Sequence, residues 1–213
     1  MLILGIDEAG RGPVLGPLVI CGYLVDKKNM AKLKKTGVRD SKQLSPTRRS
    51  RLAPELKKIA NDFTVIKISA EEIDNMRATI NLNRIEIEKM REIIDALQPD
   101  KVIVDSLERN TERFISKLGC SMPVVAENFA DRKYPVVSAA SVIAKVARDA
   151  EIAKLHKKHG NIGSGYPSDE RTVRFLNDCM KKNKGLPYFV RKSWLTVERM
   201  TSEREQKEER WFR

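Results

Sequence analysis

The chain has 213 residues, enough for one domain with a sizeable hydrophobic core. Lysine and arginine total 41 against 29 acidic residues, which gives a formal net charge of +12 and a pI near 9.7. Such a surplus suits a polyanionic partner such as nucleic acid. The alternative is that the charge serves solubility alone. Residues 132–213 carry a net +9, against +3 for residues 1–131, so we expect the C-terminal third to contact phosphates.

The composition also argues against several classes of protein. Cys21, Cys120 and Cys179 are widely spaced and odd in number, so neither a disulfide framework nor a CxxC metal site is indicated. The first residues contain no basic region, and no apolar run approaches the ~18 residues needed to cross a bilayer. We therefore expect a soluble, cytoplasmic protein without a membrane partner.

Apolar patterning predicts an alternation of strands and helices along the chain. Five segments are typical of short strands: Leu2–Asp7, Leu18–Val25, Phe63–Ser69, Asp100–Ser106 and Val124–Asn128. Helical spacing is found in Leu82–Leu97, Thr111–Leu118 and Ser138–Lys158, in a segment capped by Ser168, and from Ser193 onward.

This order of elements predicts an antiparallel meander that continues into right-handed crossovers, and hence a mixed sheet flanked by helices in an α/β or α+β domain. In that topology the first and fourth strands are parallel neighbours. The helix predicted from Ser138 begins with small residues, SAAS, so its first turn must pack tightly against another element.

Acidic residues follow buried elements at three places in the chain. Asp7 and Glu8 end the first strand, Asp105 ends the fourth strand after the apolar run VIV, and Asp131 precedes the small-residue helix. Ligands gather outside the carboxyl ends of parallel strands, so we expect Asp7 and Asp105 to converge.

Converging carboxylates repel one another unless a divalent cation lies among them. Oxygen ligands without histidine or cysteine indicate Mg²⁺ or Mn²⁺, and two such ions cleave phosphodiesters in many nucleases. The alternative is a set of unrelated structural roles: a turn cap at Asp7, a cap at Asp105 for the helix near Asn110, and an ion pair at Asp131. That alternative explains the acids singly but not as a set.

Several stretches, taken together, resemble type 2 ribonuclease H, the archaeal ribonuclease HII form in particular. They are GIDEAGRGPVLGP from Gly5, DSKQLS from Asp40, VDS from Val104, AENFADRKYPVVSAASVIAKVARD from Ala126 and GSGYPSD from Gly163. The resemblance implies a ribonuclease H-like mixed five-stranded sheet in residues 1–185, and a C-terminal helical extension in residues 186–213.

The resemblance also implies an activity and a set of site residues. The expected protein is an endonuclease that cleaves the RNA strand of RNA–DNA hybrids. It also nicks 5′ to ribonucleotides embedded in duplex DNA, leaving 3′-hydroxyl and 5′-phosphate ends. Its catalytic, metal-binding carboxylates correspond to Asp7, Glu8, Asp105 and Asp131, the acids that the strand pattern had isolated.

The family's substrate-binding residues map onto further positions in this chain. The GRG motif that recognises the ribonucleotide corresponds to Gly10, Arg11 and Gly12, and the tyrosine that packs at the junction corresponds to Tyr166. Lys42 and Lys145 match basic residues near substrate phosphates. The chemistry is consistent, because glycine permits close approach to a sugar and the 2′-hydroxyl separates RNA from DNA.

The C-terminal tail departs from a known clamp-binding pattern. Clamp-binding peptides of some archaeal relatives follow Q-x-x-aliphatic-x-x-aromatic-aromatic, and counting from Gln206 gives Glu209, Phe212 and Arg213, so sliding-clamp binding is not expected. We expect a monomer. The alternatives are a phosphotransferase of the sugar-kinase and actin-like type, a non-catalytic hybrid-binding module, and a transposase-like or junction-resolving nuclease acting on DNA alone.

Overall fold

A computed structural model describes residues 1–38, 44–181 and 185–211. Within these residues five strands form one sheet. They are β1 (Leu2–Ala9), β2 (Leu18–Asp26), β3 (Asp62–Ile68), β4 (Lys101–Asp105) and β5 (Val124–Glu127). The strand order is β3-β2-β1-β4-β5, with β1 antiparallel to β2 and parallel to β4.

The same described ranges contain nine α-helices. They are α1 (Met30–Lys35), α2 (Pro46–Ile59), α3 (Ala70–Arg77), α4 (Leu82–Leu97), α5 (Thr111–Leu118), α6 (Ala130–Lys133), α7 (Pro135–His159), α8 (Glu170–Lys181) and α9 (Leu195–Trp211). The predicted α/β class, with a mixed five-stranded sheet flanked by helices, is thus confirmed.

One face of the sheet is covered by α7, the longest of these helices. An added Cβ at Gly5 of β1 would lie 2.4 Å from the main-chain carbonyl of Val136. Ser138 and Ser141, together with the alanines between them, are buried, so the small residues of the SAAS stretch allow the helix to lie directly on β1. Because of this close packing, the first turns of α7 face the carboxyl end of β1.

The opposite face of the sheet is covered by α4, whose apolar stripe includes Met90, Ile93 and Leu97. A third apolar cluster lies beyond the end of β1, where Val14 and Leu15 pack with Val197 of α9 and residues of α8. Among the described helices, none has the length and apolar character needed to cross a membrane.

Some element boundaries differ from those that the sequence patterns predict. The helix α7 begins at Pro135 rather than Ser138, because proline is favoured in the first turn of a helix. The helix α8 is capped by Asp169 and not by Ser168, since Asp169 Oδ1 accepts from the Arg171 N–H at 3.0 Å. The helices α2 and α3 were not predicted at all.

Candidate active site

The parallel register of β1 and β4 places two of the predicted carboxylates beside each other. The last matched pair is Ile6 with Val104, so Asp7 and Asp105 are the next residues on their strands. β1 itself continues to Ala9 by pairing with β2, so Asp7 and Glu8 lie within that ladder rather than after it. Asp7 is only 5 % exposed, so the sheet delivers a nearly buried acid to its carboxyl edge.

Main-chain hydrogen bonds orient both carboxylates. Asp7 Oδ1 accepts from the Glu8 N–H at 2.8 Å, and Asp105 Oδ1 accepts from the Ala130 N–H at 3.0 Å. The second bond joins β4 to the first residue of α6, where Asp131 follows Ala130 and is 1 % exposed. The residue that binds Asp105 therefore immediately precedes Asp131 in the main chain.

Asp105 does not cap the helix that begins after Asn110. The Asn110 side chain caps α5 itself, by accepting from the Arg113 N–H at 2.9 Å. The capping role considered for Asp105 is therefore wrong, because Asn110 is the N-cap residue of that helix.

Burial and like charge raise the pKa values of Asp7 and Glu8. The pKa of Asp7 is raised to about 7, chiefly by burial, and a hydrogen bond from Ser141 opposes the shift. Asp105 raises the same pKa and Lys145 lowers it. The pKa of Glu8 is raised well above its usual value by burial, and then by the charges of Asp7, Glu86 and Asp105. The carboxylates are thus close enough to oppose each other's ionisation.

The donor set fits a divalent cation of the Mg²⁺ or Mn²⁺ type. Glu8 Oε2 is buried and has no hydrogen-bond partner among the described residues, which is costly for a carboxylate oxygen. In the described ranges no group of three or more His, Cys, Asp or Glu side chains is already gathered as a metal site. Repelling oxygen donors with an unpaired buried atom are nevertheless the ligands that hard cations prefer.

A cleft of about 500 Å³ opens beside Glu8 and brings together five of the six predicted substrate-binding residues. Its lining includes Gly10, Arg11, Gly12, Lys145 and Tyr166. Further basic side chains on the same lining are Arg49 and Arg148. Residues from the first and last thirds of the chain therefore meet next to the acids.

Close contacts define the floor of this cleft. Gly10 has a φ of +86°, and an added Cβ there would lie 2.4 Å from Arg148 Nε, so both conformation and space require glycine. An added Cβ at Gly12 would be 3.6 Å from the Tyr166 ring. The Arg148 guanidinium lies 5.7 Å from the centroid of that ring.

Of the two lysines predicted to lie near substrate phosphates, only Lys145 lies within the described residues. Lys145 donates to Ser141 Oγ one turn earlier on α7 at 2.7 Å, which places the ammonium group near Asp7. Lys42 lies outside the described residues.

Two residues on α4 that the sequence patterns did not single out hold the arginine of the GRG motif. Arg11 Nε donates to both oxygens of Glu86 at 3.0 Å, and Arg11 also donates to Asn83 Oδ1. Glu86 is fully buried, and its pKa is raised to about 7 by burial against the opposing effect of Arg11. The available signal was an acid in register with the apolar stripe that contains Met90, since residues four apart share a helix face.

Comparison with known proteins identifies the family. The family model described as Ribonuclease HII matches residues 4–197. A ribonuclease HII of Methanobrevibacter smithii is 52% identical over 94% of this chain and 98% of its own length.

Two solved structures have the same fold over nearly the whole chain. The ribonuclease H2 of Pyrococcus horikoshii OT3 matches with a TM-score of 0.89 at 42% identity, covering 95% of this chain and 98% of that one. The ribonuclease HII of Archaeoglobus fulgidus, solved in complex with PCNA, matches with a TM-score of 0.84 at 43% identity, covering 91% and 95%. Given these matches, the chain belongs to the ribonuclease HII family and is a type 2 ribonuclease H endonuclease.

Proposed function

We propose that this protein is a metal-dependent endoribonuclease that cleaves the RNA strand of RNA–DNA hybrids and nicks 5′ to a ribonucleotide embedded in duplex DNA. The products carry 3′-hydroxyl and 5′-phosphate ends. One observation carries the proposal: the cleft beside Glu8 is lined by both the GRG motif and Tyr166, so carboxylates suited to phosphodiester cleavage adjoin residues suited to inspecting a sugar.

In this proposal Asp7, Glu8, Asp105 and Asp131 hold Mg²⁺ or Mn²⁺, with two ions during catalysis. Bound divalent ions activate an attacking water and stabilise the leaving oxygen of a phosphodiester. The protein prepares the site by orienting the Asp7 and Asp105 carboxylates through main-chain donors. It also keeps Asp7 and Asp131 largely out of water, which strengthens their interaction with a cation.

The glycine loop, Gly10–Gly12, and Tyr166 select the substrate. A main chain without side chains at Gly10 and Gly12 approaches a ribose closely, and the 2′-hydroxyl is the group that distinguishes RNA from DNA. The Tyr166 ring is 43 % exposed, so a flat, amphipathic surface is available to pack against the sugar or base at the junction.

Basic side chains bind the substrate phosphates. We assign this role to Lys145, Lys42 and the C-terminal third of the chain, which carries a net +9. Each phosphate contact releases counterions, so binding to a hybrid duplex should weaken steeply as salt rises. A titration by fluorescence anisotropy at 50 and 200 mM salt measures this, and a flat response would contradict phosphate contacts.

The remaining parts of the proposal concern organisation and partners. Residues 1–185 form the catalytic domain, residues 186–213 form an extension packed on it, and the enzyme acts as a cytoplasmic monomer. The A. fulgidus relative was solved in complex with PCNA, whereas the tail from Gln206 departs from the clamp-binding pattern at two of its four key positions. A PCNA pull-down with and without residues 206–213 tests the prediction that this tail does not bind a clamp.

The decisive experiment uses a labelled DNA duplex that contains one ribonucleotide, with Mg²⁺ or Mn²⁺ and an all-DNA duplex as control. We expect a single nick on the 5′ side of the ribonucleotide, no cleavage of the control, and no activity in EDTA. Binding without cleavage would favour a hybrid-binding module, and cleavage of the all-DNA duplex would favour a DNA nuclease. Either result, with folded protein, overturns the proposal.

A further inference from the structure

The three carbonyl groups of the glycine loop all accept hydrogen bonds from residues 189–194, which we call the C-terminal segment. Arg191 Nη2 donates to the Gly10 carbonyl at 2.6 Å and Nη1 donates to the Arg11 carbonyl at 3.1 Å. Trp194 Nε1 donates to the Gly12 carbonyl at 3.2 Å. A segment 180 residues away in sequence thus binds each peptide of the loop.

Arg191 is suited to this role because its guanidinium has a rigid array of donors. Its side chain is completely buried, and Nε makes a third main-chain bond, to the Gly16 carbonyl at 3.0 Å. A buried cation is stable only where its donors are satisfied, and here main-chain carbonyls satisfy them. Burial, followed by the nearby charge of Arg148, lowers the pKa of Arg191 to about 9, so the group remains charged at neutral pH.

The segment itself is fixed on two sides. On one side it pairs with the chain that follows the loop, since Arg191 N donates to the Val14 carbonyl at 2.9 Å and Gly16 N donates to the Phe189 carbonyl at 2.8 Å. On the other side the carboxylate of Asp74 on α3 accepts from the N–H groups of residues 192 and 193 at 2.8 and 3.0 Å. The donors that hold the loop therefore belong to a rigid part of the fold.

Cation–π contacts fix the orientation of the Trp194 indole. The guanidinium carbons of Arg77 and Arg191 each lie 4.7 Å from the centroid of its ring. Trp194 Nε1 is consequently directed by neighbours on α3 and within the segment, and the bond to Gly12 does not depend on a freely rotating side chain.

The direction of the carbonyls determines where the loop presents its donors. In a trans peptide the C=O and N–H groups point in opposite directions, and the structure contains no cis peptide among its described residues. Because the Gly10 and Arg11 carbonyls are bound by Arg191, the N–H groups of Arg11 and Gly12 lie on the other side of the loop. Main-chain donors on that side are suited to a ribose hydroxyl or a phosphate oxygen.

We propose that Arg191 and Trp194 are positioning residues that hold the glycine loop in the conformation that discriminates a ribonucleotide from a deoxyribonucleotide. The inference rests on the proposed function, in which that loop inspects the 2′-hydroxyl. The C-terminal segment then determines specificity without touching the substrate, and the carboxylates that cleave are held independently of it.

The test compares Arg191→Lys with the matched control Lys192→Gln. Lysine keeps the charge but has a single donor centre, which cannot span three carbonyls. Lys192 is the exposed neighbour, so its replacement removes a positive charge from the same segment without altering the loop. The measurement is the ratio of affinities for a duplex with one ribonucleotide and the same all-DNA duplex, by anisotropy in EDTA so that neither is cleaved.

We expect Arg191→Lys to reduce this ratio at least ~10-fold, since sites built to hydrogen-bond a hydroxyl discriminate strongly and lose that ability when misaligned. Affinity for the all-DNA duplex should stay within about twofold, because phosphate contacts are retained. Lys192→Gln should leave the ratio unchanged. Loss of folded protein would lower both affinities together and would not change the ratio.

A second variant keeps the inference testable if Arg191→Lys does not fold. Trp194→Phe replaces the indole with a smaller ring that has no N–H and retains an aromatic group between the two guanidinium groups, so a folded protein is expected. Its ratio should fall about threefold, in line with one neutral hydrogen bond. An unchanged ratio in every folded variant overturns the inference while leaving the proposed function intact, whereas a wild-type protein without any ribonucleotide preference overturns both.

Discussion

Asp7 and Gly12 are five residues apart in sequence, yet different parts of the molecule hold them in place. Asp7 is positioned by the sheet, through pairing of β1 with β2 and β4. The glycine loop follows the end of β1 and is positioned by side chains from α4 and from the C-terminal segment. The acidic part of the site therefore belongs to the hydrogen-bonded sheet, whereas the glycine loop depends on a few long-range side-chain contacts.

Because the two regions are held differently, we expect that catalysis and substrate selection can be changed separately. A strand in the centre of a sheet is held by many main-chain bonds, so no single side chain determines where Asp7 lies. The loop depends on individual donors, and the loss of one leaves a carbonyl unsatisfied. We expect substitutions in the acidic half to affect the chemistry, and substitutions around the loop to affect specificity and stability.

The largest effect is expected from Asp7→Asn, which tests the acidic half directly. It should reduce the cleavage rate by about three orders of magnitude, as when one preorganised electrostatic group is removed from an active site. Affinity for a hybrid should be retained or increased, because repulsion of phosphate falls. Gel-based cleavage and anisotropy measure the two quantities, with Asp95→Asn on the exposed face of α4 as control. Normal cleavage by Asp7→Asn would remove that residue from the site.

The same substitution should stabilise the metal-free protein at alkaline pH. The folded-state pKa of Asp7 is about 7 against an ordinary 3.8, so the folded state binds more protons and the free energy of unfolding falls as pH rises through this window. At pH 8 in EDTA, removal of the charge should add roughly 4 kcal/mol to the free energy of unfolding, with a smaller gain at pH 5. Thermal melts with and without Mn²⁺ measure this. Equal melting temperatures at pH 8 would show that the charge of Asp7 is not destabilising.

Arg11→Ala tests the contact between the glycine loop and α4. Arg11 lowers the pKa of Glu86, so without Arg11 this pKa rises further above 4.5. The variant should therefore become less stable than the parent protein as pH increases. Because the Arg11 side chain is 40% exposed, we expect a cost of about 2 kcal/mol at pH 8, below the range for fully buried pairs, and little cost at pH 5. Urea unfolding at both pH values measures it.

The matched control for that experiment is Arg84→Ala, which removes an arginine paired with Glu88 on the solvent side of the same helix. Its cost should stay below about 0.5 kcal/mol at either pH, as for other exposed pairs. If the two variants have the same pH dependence, the buried carboxylate of Glu86 is not the cause.

The smallest effect concerns the main chain next to the acids. Phe129 has a φ of +62° and precedes Ala130, whose N–H binds Asp105. Phe129→Gly and Phe129→Ala both remove the ring and its contact with Arg132, but only glycine relieves the left-handed conformation. The glycine variant should be more stable than the alanine variant by about 1 kcal/mol. Equal stability in urea would show that no strain is stored there.

Much of the fold follows from short-range patterns. The apolar runs that become β1 and β4, and the acids that follow them, are visible in the sequence because a buried strand has a simple signature. The helix α2 was missed for an identifiable reason: PTRRSRLAPELKKI contains an internal proline, Pro54, which normally disfavours a helix. Burial of Leu52, Leu56 and Ile59 against the core outweighs that local preference.

The acids at the ends of neighbouring strands and the glycine loop after the first of them can be predicted from the sequence, because these features depend on residue type and spacing within a few positions. The contact of Glu86 with Arg11 and the bonds from Arg191 and Trp194 to the loop carbonyls are visible only in the folded chain, since they join residues 75 to 182 positions apart. The partner of a buried charge or donor is set by the packing of the whole chain, so a local pattern of residues does not predict which distant carbonyl will accept its hydrogen bond.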